Sequence, residues 1–218
     1  MMKYLKIITM KNLTVLTSIF LFVGILMSCE APFEEIITKD DDGNIVSKYT
    51  IRKEDGQKDG PYELYYDEKL FEKGIFSNGE QDQTRTIFYS TGEKQVEEVY
   101  ESGKMTTKKE YYENGKLKLE GQYDEAVTMS GEWNYYYNNG QLKESINFKN
   151  SIEDGAFKEY YKNGNIKAEG IYVPLEFGVE TDGVEQGELK EYNEEGKLIR
   201  KANCELGICE TTWEINME

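Results

Sequence analysis

Gly155-Ala-Phe-Lys-Glu-Tyr-Tyr161, then Lys162-Asn163-Gly164, then Asn165-Ile-Lys-Ala-Glu-Gly-Ile-Tyr172 is the stretch that decides the fold. Its two flanks are strand-like and its middle is a turn. Ile166, Ala168, Gly170 and Tyr172 fall on one side of an extended chain, and Lys167, Glu169 and Ile171 on the other. Period two with lysine and glutamate on one side marks an antiparallel strand buried on one face. Asn163-Gly164 reads as a tight hairpin turn, because both residues tolerate positive φ. A helical reading fails, since Tyr, Thr, Asn and Gly are poor helix formers and glycine returns in mid-pattern.

The same unit recurs along the chain. Its copies are Tyr65-Tyr66, Phe88-Tyr89, Tyr111-Tyr112, Tyr136-Tyr137, Tyr160-Tyr161 and Tyr192-Asn193, at steps of 23 to 25 residues and then one of 32. The long last step holds an insertion around Val173 to Glu185. A glycine stands three residues after the pair at Gly92, Gly115, Gly140, Gly164 and Gly196, while the first copy has Lys69 there. Two residues further on comes Leu117, Leu142, Ile166 or Leu198 in the clearest copies. Gly60, Gly131, Gly155 and Gly187 open units, Asn44-Ile45 looks like the second half of a degraded first one, and Gly207 to Trp213 like the first half of a last one. The expected fold is all-β: an elongated single-layer antiparallel meander of tandem hairpins, with six units and two terminal half-units over residues 44–218.

The pattern resembles the bacterial variant of the MORN repeat, a unit of the form Gly-x-aromatic-x-x-Tyr-Tyr-x-x-Gly-x-Leu. Gly131, Trp133, Tyr136, Tyr137, Gly140 and Leu142 carry it, as do Gly155, Phe157, Tyr160, Tyr161, Gly164 and Ile166. The resemblance implies an elongated, twisted antiparallel meander. Many members of that family carry the label of a YwqK-like antitoxin, which implies a toxin-neutralising or immunity protein as the alternative to a binding or scaffolding module.

The N-terminus supplies an address. Lys3, Lys6 and Lys11 precede an apolar run from Leu13 to Met27, too short for a span of about 20 residues. A basic start and a short apolar stretch fit a secretory signal over residues 1–28. Leu26-Met27-Ser28-Cys29 resembles a bacterial lipobox, which implies cleavage before Cys29, lipid on its sulfur, and a protein anchored in the bacterial cell envelope, at the outer membrane or cell surface. Residues 29–43 read as an acidic flexible tether; Glu30 to Gly43 reach at most about 45 Å. Glu30, Glu34 and Glu35 resemble acidic surface-export signals of Bacteroidota lipoproteins.

Charge narrows the partners. With 42 acidic and 26 basic residues the net charge is -16, which repels phosphate backbones, so no nucleic-acid partner is expected. The expected partners are the membrane, through the lipid, and a protein or glycan. The chain has no histidine, which removes Ser-His-Asp and Cys-His catalysis and the commonest zinc ligand. Asp40-Asp41-Asp42-Gly43-Asn44 does not fit an EF-hand loop begun at Asp40 or at Thr38 and reads as a turn. No catalytic residue, metal or cofactor is expected, and carboxylate pairs such as Glu97-Glu98 arise by chance among so many acids.

Two further features remain open. Cys204 and Cys209 flank Gly207 and, outside the cytoplasm, close a disulfide across a hairpin; free thiols or a redox pair are the alternatives. Neighbours in a strand face opposite ways. If Tyr66, Tyr89, Tyr112, Tyr137 and Tyr161 join Trp133 and Phe157 on the core side, then Tyr65, Phe88, Tyr111, Tyr136, Tyr160 and Tyr192 line the other. That ladder could stack a glycan or peptide, or could serve only as cross-strand packing with lysine stems over the rings.

Overall fold

A computed structural model describes residues 31–177 and 180–215. They form one antiparallel sheet of 16 strands. In chain order these are β1 Phe33–Lys39, β2 Ile45–Arg52, β3 Lys58–Tyr66, β4 Lys69–Ser77, β5 Glu80–Phe88, β6 Lys94–Glu101, β7 Lys104–Tyr111, β8 Leu117–Tyr123, β9 Met129–Tyr136, β10 Leu142–Lys149, β11 Ile152–Tyr160, β12 Ile166–Phe177, β13 Glu180–Glu185, β14 Gly187–Tyr192, β15 Leu198–Glu205 and β16 Ile208–Glu214. Spatial order follows chain order, except that β13 hangs on β12 outside the main path. The insertion is therefore a lengthened hairpin. The outer part of β12 pairs with β13, from Tyr172↔Glu185 outward, and its inner part pairs with β14 at Ala168↔Glu191.

The turns that follow the paired aromatics all lie at one end of the strands, and the geometry at Asn163-Gly164 differs from the expected two-residue Asn-Gly turn. Tyr161 N–H donates to Asn165 O at 2.8 Å and Gly164 N–H to Tyr161 O at 2.9 Å. Only Gly164, at φ +91°, is left-handed in that loop. This is a three-residue loop, a type I turn closed by a glycine bulge. Asn163 is selected for its side chain instead. Its Oδ1 accepts from Asn165 N–H at 2.9 Å and its Nδ2 donates to Glu194 O, in the next turn, at 2.7 Å. Asn114 and Asn139 reach the carbonyls of Asn138 and Lys162 in the same way.

Two expectations near the N-terminus are corrected. Residues 33–39, expected within a flexible tether, are strand β1, paired with β2 from Phe33↔Arg52 to Lys39↔Ile45. The loop that follows has the repeat's own bonds, Asp40 N–H to Asn44 O and Gly43 N–H to Asp40 O, so the first hairpin is whole rather than a half-unit. The acidic composition hid it, although charge is what an edge strand ordinarily carries. The second correction concerns Lys69. The first repeat turns on Asp67 and Glu68 at φ 47° and 62°, a two-residue type I′ turn, so Lys69 already belongs to β4 and replaces no turn glycine.

The mid-strand glycines have a packing cause. A Cβ on Gly121 would lie 2.1 Å from the Trp133 ring, one on Gly170 2.8 Å from Phe157, and one on Gly74 2.7 Å from Tyr62. Each glycine is the floor on which a neighbouring strand's aromatic ring lies. Around Trp133 and Phe157 the buried core adds Ile146, Phe148 and Ala168, with Tyr123 edge-on to Trp133 and Tyr172 stacked on Phe157 at 4.3 Å. Burying each large apolar side chain is worth about 1.5–3 kcal/mol, which lets a single layer hold its shape.

Candidate binding face

Opposite the core lies a surface that repeats with the hairpins. Cross-strand partners share a face. Register therefore strings Lys48, Glu63, Lys73, Thr86, Glu97, Lys109 and Glu120 into one row, continued by Asn134, Ser145, Lys158, Glu169, Lys190, Lys201 and Trp213. Opposite charges alternate along much of it, with ion pairs at Lys48–Glu63 (3.2 Å) and Lys109–Glu120 (3.1 Å).

Tyr65, Phe88, Tyr111, Tyr136, Tyr160 and Tyr192 run beside this row, on β3, β5, β7, β9, β11 and β14. They occupy every second strand of the sheet, so successive rings stand about 10 Å apart. All six are half-buried. A register shift at each hairpin sets Tyr111 opposite Leu117, Tyr136 opposite Leu142 and Tyr160 opposite Ile166. The phenols of Tyr65, Tyr136 and Tyr192 donate to Glu63, Glu120 and Glu169 of the charged row, the last two at 2.8 Å. Burial and the Glu120 bond push the Tyr136 phenol up to about 12, so at neutral pH it remains a donor. The ladder thus combines apolar ring area with a fixed line of charge, a surface suited to stacking and hydrogen bonding together.

The second aromatics do not join the core as expected. Tyr66 is 73% exposed. The others brace the turn edge: Tyr89, Tyr112, Tyr137 and Tyr161 each donate a phenol hydrogen, at 2.7–2.8 Å, to the carbonyl of Tyr111, Tyr136, Tyr160 and Tyr192 respectively. Each braced carbonyl belongs to a ladder residue one unit further on. The pair Tyr-Tyr therefore divides the labour, one ring for the face and one phenol for the spacing.

Sequence reasoning missed a polar centre between β3 and β6. Arg85 binds Glu72 through two nitrogens at 3.0 and 2.7 Å and Glu98 through a third at 2.8 Å. Tyr62 donates to Glu72 at 2.6 Å and Tyr100 to Glu98 at 2.9 Å. Burial opposes ionisation of Glu72, yet the Arg85 and Tyr62 bonds outweigh it and hold the carboxyl below its usual range. One signal was available: arginine occurs only at 52, 85 and 200. Each holds carboxylates, Arg52 of Asp55 and Asp59 and Arg200 of Glu191.

Cys204 and Cys209 are directly opposed across the β15–β16 hairpin and joined by a disulfide, with Cα atoms 3.9 Å apart. Cys29 and the leader lie outside the described residues. Among the described residues no group of acidic or cysteine side chains is arranged to hold a metal ion.

No curated protein matches this chain. The sequence model of the MORN repeat variant family matches residues 106–125, 129–150, 153–173 and 185–203, four segments that coincide with the hairpins from β7 to β15.

Proposed function

We propose that this protein is a non-catalytic binding or scaffolding module held at the bacterial envelope by lipid on Cys29, and that the ladder face is the surface it presents to a protein or glycan. The repeats favour a binding or scaffolding role, because a tandem array offers an extended periodic surface. The carrying observation is the ladder itself: six aromatic side chains on alternate strands beside a row rich in lysine and glutamate. The position of β1 bears on the anchor. Pro32 O accepts from Lys53 N–H at 2.9 Å, so only Glu30 and Ala31 separate Cys29 from the first residue tied to the sheet. Three residue steps span about 11 Å, against the roughly 45 Å reach of a free tether. Lipid on Cys29 would therefore hold the β1 edge beside the membrane.

The test is membrane fractionation of the native chain and of Cys29→Ala, followed by protease treatment of intact cells. Native protein should sediment with membranes, the variant should not, and external protease should digest the native form. Two soluble, protected forms would remove the anchor and make the toxin-neutralising reading the lead.

A further inference from the structure

We propose that the outer edge of β16, which pairs with no strand among the described residues, accepts an extended peptide as an additional strand, and that this peptide presents a lysine or arginine between two apolar residues on one face. The inference deepens the reading of the sheet as a binding module and does not depend on the lipid.

An edge strand leaves alternate N–H and C=O groups unpaired and ready to take a strand. β16 adds side-chain chemistry to that. Ile208 is 73% exposed and Trp213 45% exposed. Their partners on β15 are Glu205 and Lys201, and Glu210 between them pairs with Asn203. These three β15 positions share one face, so Ile208, Glu210 and Trp213 share it too. A register shift between Lys201 and Ala202 makes this possible, absorbing Thr212 as an extra residue. The edge therefore displays apolar, acidic, apolar at strand spacing, on a hairpin closed by the Cys204–Cys209 disulfide.

A second copy does not fit. β1, the other edge, presents Phe33, Glu35 and Ile37 on one face, opposite Arg52, Thr50 and Lys48. Matching its apolar pair with Ile208 and Trp213 sets Glu35 against Glu210 in either strand direction, and pairing β16 with itself sets Glu210 against Glu210. Like charges directly opposite are unfavourable, so Glu210 turns away copies of this chain and selects a basic centre.

The experiment uses the full-length chain and two capped peptides, Thr-Val-Thr-Lys-Thr-Ile-Thr and its counterpart with Glu at the centre. Trp213 reports, since Trp133 is 3% exposed and cannot meet a ligand. The lysine peptide should give a saturable blue shift, and the glutamate peptide should bind about tenfold more weakly. Glu210→Lys, at an exposed position, should invert that preference with an unchanged circular dichroism spectrum. Methylating alternate backbone nitrogens of the lysine peptide should abolish the shift. Absence of saturation, equal affinity for both peptides, indifference to Glu210→Lys, or undiminished binding of the methylated peptide would each overturn the proposal. Fractionation of Cys29→Ala reads a separate question, so the anchor can fail while the edge site stands.

Discussion

Between β3 and β6 the centre of the buried face is Arg85 clasped by Glu72 and Glu98; between β9 and β12 the same level of the sheet is Trp133, Ile146, Phe157 and Gly170. The backbone is alike in both, hairpin after hairpin in one antiparallel path. The repeat therefore sets strand register and turn spacing while leaving the chemistry of the core free. The two solutions differ energetically. An apolar ring gains by leaving water. A buried ion cluster must first offset its desolvation, and does so here with two-point Arg85–Glu72 contact and phenol donors from Tyr62 and Tyr100. The family model matches only from residue 106 onward, the part built on apolar rings.

Substitution should separate the two solutions most strongly. Trp133→Ala should cost about 3–5 kcal/mol, because the cavity over Gly121 has no side chain to refill it. Arg85→Ala should cost about 3 kcal/mol by stranding two buried carboxylates. The decisive variant replaces the whole cluster, Glu72→Leu with Arg85→Met and Glu98→Leu. Denaturant melts should show it as stable as the native chain, or up to about 4 kcal/mol more stable. A triple variant as weak as Arg85→Ala alone would mean that the cluster does more than occupy the core.

Acid should then move the two regions in opposite directions. Burial, then the facing Glu159 carboxylate, raises the pKa of Glu144 on β10. A carboxyl raised on folding contributes stability that is full below the unfolded value near 4.5 and is lost as pH rises through the folded value. Glu72 is lowered, so its contribution is present above 4.5 and is lost as pH falls through the folded value. Amide exchange protection in β10 and β11 should rise as pH approaches 4.5 from above, while that in β4 and β5 falls only below it. Glu144→Gln should remove the rise and leave the fall. Parallel loss in both regions would contradict the assignment.

Much of this was legible in the sequence because a two-residue alternation and a recurring glycine leave few architectures open. The ladder from Tyr65 to Tyr192 follows from parity alone, since no irregularity separates Trp133 from Tyr136 within β9. Three things were hidden. The second tyrosines obey the same parity yet end in the turn, where their phenols find carbonyls that only the stacking of units brings near. The Arg85 cluster joins residues of β4, β5 and β6 that share no local motif. Strand β1 was masked by Glu34 and Glu35, although Ile36 and Ile37 stand beside them.

The smallest test concerns the turns that bound these regions. Left-handed backbone costs a residue with a Cβ about 1–2 kcal/mol, and glycine next to nothing. From β7 to β15 the turns beside the ladder spend that conformation on Gly115, Gly140, Gly164 and Gly196, whereas the first repeat imposes it on Asp67 and Glu68. Asp-Gly is the favoured pair for a type I′ turn. Glu68→Gly should therefore stabilise the chain by up to about 1 kcal/mol, part of the relief being offset by glycine's greater freedom in the unfolded chain. Lys69→Gly should not, since Lys69 begins β4 and its Nζ donates to Ser90 O at 2.8 Å. Thermal melts of the two variants separate a turn at 67–68 from one displaced toward 69. A gain at 69 with none at 68 would show that the first repeat turns as the later ones do, and that the two halves differ in their cores alone.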